Sequence, residues 1–131
     1  MATKSAEETK QLGRELAKTL QGCETVALFG EAGSGKTVFA KGLCEGLGVL
    51  EPVTSPTFVI QNVYRGKFAV FHYDMYRVSG KDCCELGFFE SLGKGVNIIE
   101  WAENIKEILP EDCIKIYFEF GKSENEREIR S

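Results

Sequence analysis

The chain has 131 residues, 43% of them apolar and 27% charged, an ordinary globular composition that argues against extended disorder, collagen-like repeats and a coiled coil and needs no staple to hold a core. Its 20 acidic and 16 basic side chains leave a net charge of -4, so no overall positive field is available to grip a nucleic acid by counterion release. No apolar run approaches the roughly 18 residues of a membrane span, and the start MATKSAEETK lacks a secretory signal's apolar stretch, so a cytoplasmic location is expected.

In chain order, Ser5 and Glu8 have the spacing of a capping box. Leu12, Leu16 and Leu20 then recur every four residues up to Gly22, which predicts an amphipathic first helix with those leucines buried. Thr25 to Phe29 (TVALF) is short and almost wholly apolar, the pattern of a central parallel strand covered on both faces. A glycine-rich turn from Gly30 to Gly35 follows. Phe39, Leu43 and Leu47 then mark the buried face of a helix that stops at Gly48.

Pro52 and Pro56 punctuate a loop, and Thr57 to Tyr64 and Lys67 to Tyr73 read as a hairpin turning at Arg65 and Gly66. Asp82 to Leu92 is a short helical segment between the hairpin and a second apolar strand, Val96 to Ile99. Ala102 to Leu109 is helical up to Pro110. Cys113 to Phe120 then alternates Ile114, Ile116, Phe118 and Phe120 with Lys115, Tyr117 and Glu119, a strand with one wetter face. The charged tail, 121–131, either frays or adds Glu128 to Arg130 as a last edge strand. No repeat or linker interrupts the sequence, so one α/β domain is expected over residues 1–131, with a mixed, mostly parallel sheet flanked by helices.

The five cysteines, Cys23, Cys44, Cys83, Cys84 and Cys113, have no zinc-ligand spacing and read as reduced thiols, Cys83 and Cys84 being the redox-sensitive candidates. His72 is the single histidine, which argues against a histidine-rich metal centre, and nothing near it suggests an activated nucleophile.

The strongest signal is Gly30-Glu31-Ala32-Gly33-Ser34-Gly35-Lys36-Thr37, which fits the phosphate-binding pattern G-x-x-x-x-G-K-[ST]. Gly30 and Gly35 permit backbone angles that turn successive N-H groups inward, and the positive end of the next helix adds to their field. Lys36 supplies a cation for the β and γ phosphates, and the Thr37 hydroxyl a hard oxygen ligand for Mg²⁺. Context strengthens the match, because the motif sits between a buried strand and an amphipathic helix. A single-domain P-loop NTPase is therefore expected.

Such a site needs acids. Glu100 ends one apolar strand and Asp74 another, which places both at the carboxyl edge where parallel sheets bind ligands. Either would hold Mg²⁺ through water or orient an attacking water. In the loop after the P-loop helix, the hydroxyls of Thr54 and Ser55 either sense the γ phosphate or serve as turn and capping groups.

Taken together, Gly30 to Thr37, Thr54-Ser55-Pro56-Thr57-Phe58, His72-Tyr73-Asp74-Met75-Tyr76-Arg77 and Glu100-Trp101 resemble the bacterial TsaE family across nearly the whole chain. The resemblance implies a small ATPase of tRNA threonylcarbamoyladenosine synthesis. It would act with TsaB and TsaD, which place threonylcarbamoyl on adenosine 37, and would meet tRNA only indirectly through that complex. ATP binding and slow hydrolysis would support TsaB and TsaD without performing the transfer.

By the same resemblance Gly30, Glu31, Ala32, Gly33, Ser34, Gly35, Lys36, Thr37 and Val38 would bind ATP, and Thr9, with Glu8, would lie at the adenine. Trp101 would flank the nucleotide. Lys36, Asp74 and Glu100 would support hydrolysis, while Thr37, Glu100, Asp74 and the switch-loop Thr54 would organise Mg²⁺. Met75 stands where the family usually has Leu, a tolerant exchange.

Three other functions share parts of this pattern. A small kinase would need a lid with arginines, and none is evident as an insertion. A guanine-specific GTPase would need N-K-x-D, which Asn104-Ile105-Lys106-Glu107 does not match. A nucleotide-binding interaction module without useful turnover would differ from the family reading only in degree.

Overall fold

The computed structural model describes residues 1–53, 61–76, 78 and 87–131. The elements are β1 (Ala2–Thr3), α1 (Ala6–Ala17), β2 (Thr25–Phe29), α2 (Lys36–Gly46), β3 (Gln61–Arg65), β4 (Ala69–Asp74), α3 (Phe88–Ser91), β5 (Val96–Glu100), a 3₁₀ segment (Ala102–Ile108), β6 (Ile114–Phe120) and β7 (Arg127–Arg130).

Among the described residues the strands form one sheet in the order β1-β7-β6-β2-β5-β4-β3. Strands β6, β2, β5 and β4 are mutually parallel, while β3 pairs antiparallel to β4 and β7 antiparallel to β6 and β1. Only β3 and β7 therefore run against the rest, which is the mixed, mostly parallel α/β sheet expected. Every residue of β2 and β5 is buried, because helical layers cover both faces of the sheet centre.

Alternation along the strands builds two cores. Val26, Leu28, Val70, Ile98 and Ile116 face the layer made by α1 and α2. Ala27, Phe29, Tyr73 and Ile99 face Phe88 of α3 and Ala102 and Ile105 of the 3₁₀ segment.

Helix α1 starts where expected. Ser5 caps it by accepting the Glu8 N-H at 3.1 Å, and the Glu8 carboxylate reaches back to the Lys4 N-H at 3.2 Å, one residue short of a full capping box. Its buried face differs from the leucine stripe: Thr9, Gly13 and Ala17 are buried, and Leu12 and Leu16 only half-buried. The reason is close helix approach. A Cβ on Gly13 would lie 2.7 Å from the Leu43 amide nitrogen, and one on Gly42 would collide with the Lys10 carbonyl oxygen. Small residues form the seam, and the leucines flank it.

Other boundaries shift for local reasons. The helix α1 stops at Ala17 with Lys18 as its cap, well before Gly22. The segment after Trp101 winds as a 3₁₀ helix with a non-helical Ile105. The tail neither frays nor forms the edge: Arg127–Arg130 pairs with β6 on one side and with β1 on the other. The hairpin appears as β3 and β4, and the short helix as Phe88–Ser91. Residues 57–60 and 82–86 of those expectations lie outside the described residues.

Candidate nucleotide site

The cleft opens where the carboxyl ends of β2, β4 and β5 meet the start of α2. It measures about 320 Å³, and its walls carry Thr9 of α1, Lys36 and Thr37 of α2, the acids Asp74 and Glu100, and Trp101.

The loop from Gly30 to Gly35 takes left-handed backbone angles at Gly30, Gly33 and Gly35, with φ of 150°, 79° and 106°, which side chains rarely adopt. Gly35 caps α2 without a side-chain hydrogen bond, and no acidic residue occupies the first turn. Among the described residues the first N-H groups of that eleven-residue helix therefore have no capping side chain, the arrangement that suits an anion. Ser34 is buried, and its Oγ has no hydrogen-bond partner among the described residues.

Lys36 is buried at the head of α2. Its ammonium donates to the Gly30 carbonyl oxygen and stands 3.5 Å above the centre of the Trp101 ring, a cation-π contact. Burial pulls its pKa below the ordinary lysine value, opposed by the charges of Glu103, Glu100 and Asp74. Desolvation thus gives a lysine that gains by meeting a further anion.

Thr37 follows, and its hydroxyl donates to Glu100 Oε1 at 2.7 Å. The other oxygen, Oε2, is 2.6 Å from His72 Nε2. Glu100 and His72 are both buried, so each carboxylate oxygen exchanges water for a directed protein partner.

Asp74 is the register partner of Glu100 across β4 and β5. It is half-buried, and its Oδ1 accepts the Tyr76 N-H at 3.0 Å. Asn104 braces this turn by donating its amide to the carbonyls of Met75 and Tyr76 at 2.8 and 2.9 Å. The same bonds occupy the asparagine that a guanine reader would need. Trp101 is the one described non-glycine residue at positive φ, 59°, and its ring packs on Tyr76 at 4.9 Å between centroids.

The expected residues divide by position. Ala32, Gly33, Gly35, Lys36, Thr37, Val38, Thr9, Asp74, Glu100 and Trp101 all line the cleft. Thr9 does so with its hydroxyl 2.7 Å from that of Thr3. Glu8 is spent on the helix start. Glu31 is exposed and lines a separate depression with Gly30 and Glu103, where Glu103 accepts the Gly30 N-H at 3.0 Å. Thr54, Ser55, Arg77, Cys83 and Cys84 lie outside the described residues.

Sequence reasoning missed His72, Ser5, Asn125 and Arg127 as site residues. His72 carries a signal in retrospect, since it stands two residues before Asp74 and so on the same strand face. Arg127 and Asn125 carry none, because only the folding of β7 against β6 brings them to the cleft. There Arg127 donates to the Gly33 carbonyl at 3.1 Å.

A divalent cation fits the donor set. Thr37, Glu100 and Asp74 offer hard oxygens on one cleft. Among the described residues no three His, Cys, Asp or Glu side chains converge as a metal cage.

Comparison with known proteins agrees with the geometry. Residues 3–129 match the family model of the threonylcarbamoyl adenosine biosynthesis protein TsaE. The chain is 39% identical over 116 residues to the tRNA threonylcarbamoyladenosine biosynthesis protein TsaE of Treponema pallidum (strain Nichols), covering 87% of this chain and 86% of that one. It is 38% identical over 129 residues to the protein of that name from Bacillus subtilis (strain 168), covering 97% and 80%. A crystal structure of Bacillus subtilis YdiB superposes with a TM-score of 0.81 at 35% identity, covering 98% of this chain and 80% of that one.

Proposed function

The chain belongs to the TsaE family of threonylcarbamoyladenosine biosynthesis proteins, and from that premise we propose that it binds ATP with Mg²⁺ and hydrolyses it slowly in support of TsaB and TsaD. One observation carries the proposal: Lys36, Thr37, Asp74 and Glu100 converge on a single cleft at the start of α2.

The phosphates enter at the positive end of α2, where unpaired N-H groups and the helix dipole favour negative charge. The Lys36 ammonium swings from the Gly30 carbonyl to the β and γ phosphates and gains there the counter-charge that burial makes valuable. Val38, Thr9 and Trp101 border the rest of the nucleotide, with Ser5, Asn125 and Arg127 on the same wall.

Thr37, Asp74 and Glu100 would hold or organise Mg²⁺, which would supply Lewis-acid stabilisation of phosphate charge. Thr37 donates a hydrogen bond to Glu100 and so keeps its oxygen lone pairs for the cation. Glu100 acts through that hydroxyl, both of its oxygens being engaged. Asp74, less buried, orients the attacking water and accepts its proton. Within this reading the protein is cytoplasmic, does not itself transfer threonylcarbamoyl, and meets tRNA only through TsaB and TsaD. Thr54 belongs to the proposed metal set as an expectation of the family resemblance alone.

The test measures ATP turnover and nucleotide binding by the chain alone and mixed with TsaB and TsaD. Asp74→Ala and Glu100→Ala should bind nucleotide yet lose at least about tenfold in turnover, and the wild type should form a nucleotide-dependent complex. Normal turnover in both variants contradicts the hydrolytic mechanism, and no complex in any nucleotide state contradicts the partners.

A further inference from the structure

His72 is the chain's single histidine, and it is fully buried on β4. Its Nε2 lies 2.6 Å from Glu100 Oε2, while Glu100 Oε1 takes the Thr37 hydroxyl. An ionised carboxylate only accepts, so the bond requires the proton on Nε2. The other ring nitrogen, Nδ1, is buried without a partner among the described residues, so Glu100 is the one described group that holds the ring by a hydrogen bond.

The pair has a mechanical consequence. A carboxylate held by one oxygen turns about its last bond, whereas one held by both keeps its plane. Glu100 is 3% exposed, so water cannot substitute for the missing partner. Resting on the reading that this cleft holds a nucleotide and Mg²⁺, we propose that His72 is the positioning residue that pins Glu100 so that the Thr37 hydroxyl donates its hydrogen bond to Oε1 and turns its lone pairs to the cation. This is the logic by which partners behind a metal ligand tune it. Without His72 the freed oxygen is an unpaired buried charge, and nothing fixes the plane of the carboxylate.

Two readouts separate this proposal from the reading it rests on. In the nucleotide-free protein, nitrogen spectra of the single histidine ring should show a proton on Nε2, and Glu100→Gln should shift that signal. A ring protonated on Nδ1 alone, or one indifferent to Glu100→Gln, overturns the proposal whether or not nucleotide binds.

The second readout is kinetic. His72→Leu removes the donor, and His72→Gln returns an amide N-H at about the reach of Nε2. With ATP and Mg²⁺, His72→Leu should lower kcat at least about tenfold with KM within about twofold, and His72→Gln should recover most of the loss. Wild-type kcat in His72→Leu, or no recovery in a folded His72→Gln, overturns the proposal. A wild-type chain that neither binds nor hydrolyses ATP overturns the nucleotide reading instead, and the ring spectrum still decides whether His72 orients Glu100.

Discussion

Asp74 and Glu100 are direct partners in the parallel register of β4 and β5, and each is the last residue of its strand. Parallel strands in register deliver their final side chains to one edge of the sheet, and there the loop after β2 feeds the start of α2. Two carboxylates, a lysine and a threonine from distant parts of the sequence thus share one cleft.

Thr37 tests the proposed cation end of that cleft. Thr37→Ala removes the hydroxyl that Glu100 holds at 2.7 Å, whereas Thr37→Ser keeps it. Steady-state hydrolysis should fall about 100-fold in Thr37→Ala and stay within about tenfold of wild type in Thr37→Ser. Equal losses would assign the residue a packing role.

Lys36 tests the phosphate end, and the single tryptophan supplies the signal. Because the ammonium stands 3.5 Å over the Trp101 ring, Lys36→Met should change tryptophan emission before any nucleotide is added. The same variant should weaken nucleotide affinity by about two orders of magnitude, as expected for loss of a partly desolvated charge contact. Emission and affinity both unchanged would place the lysine elsewhere.

The seam between α1 and α2 predicts a stability effect remote from the chemistry. Gly42 faces the Lys10 carbonyl with no room for a Cβ, so Gly42→Ala must push the helices apart. Overpacking of this kind costs about 1–3 kcal/mol, to be read as a lower urea midpoint with unchanged slope. Lys41→Ala, on the same helix but half-exposed, should leave the midpoint nearly unmoved.

Cys44 gives the alkaline limit. Burial pushes its thiol up to about 12, with the charges of Glu100 and Glu45 adding to the effect. A thiol raised in the folded state is neutral there while the unfolded chain ionises first. Its stabilising contribution is therefore complete below about pH 9 and is lost as pH rises towards 12, at up to about 1.4 kcal/mol per pH unit. Denaturation midpoints should fall more steeply above pH 9 in wild type than in Cys44→Ala. Iodoacetamide at pH 8 should label the exposed Cys23 and spare Cys44 until the protein unfolds.

The parts of the fold written locally were legible in the sequence. TVALF is almost wholly apolar because both its faces are covered, and the glycines after it marked the turn that leads into α2. Strand ends marked Asp74 and Glu100, since a carboxylate closing an apolar run must sit at an edge.

What escaped depends on contacts between distant residues. The leucines of α1 marked the core side, with Leu20 buried and Leu12 and Leu16 packed against the core, but the closest seam is governed by Gly13 and Gly42, whose lack of a side chain hides them from a hydrophobic pattern. Strand β1 and the inward place of β7 exist only as each other's partners. The single histidine, His72, argued only against a histidine-rich centre; its burial beside Glu100 depends on the neighbouring strand. Arg127 reaches the loop only through the return of the chain from β6 to β7.

Calorimetric titration of the purified chain with ATP and Mg²⁺, beside Lys36→Ala, tests the central claim most directly. Saturable binding of one ATP per chain, weakened about 100-fold or more in Lys36→Ala, is the predicted result. No binding to the wild-type chain, or equal binding to both, would contradict it.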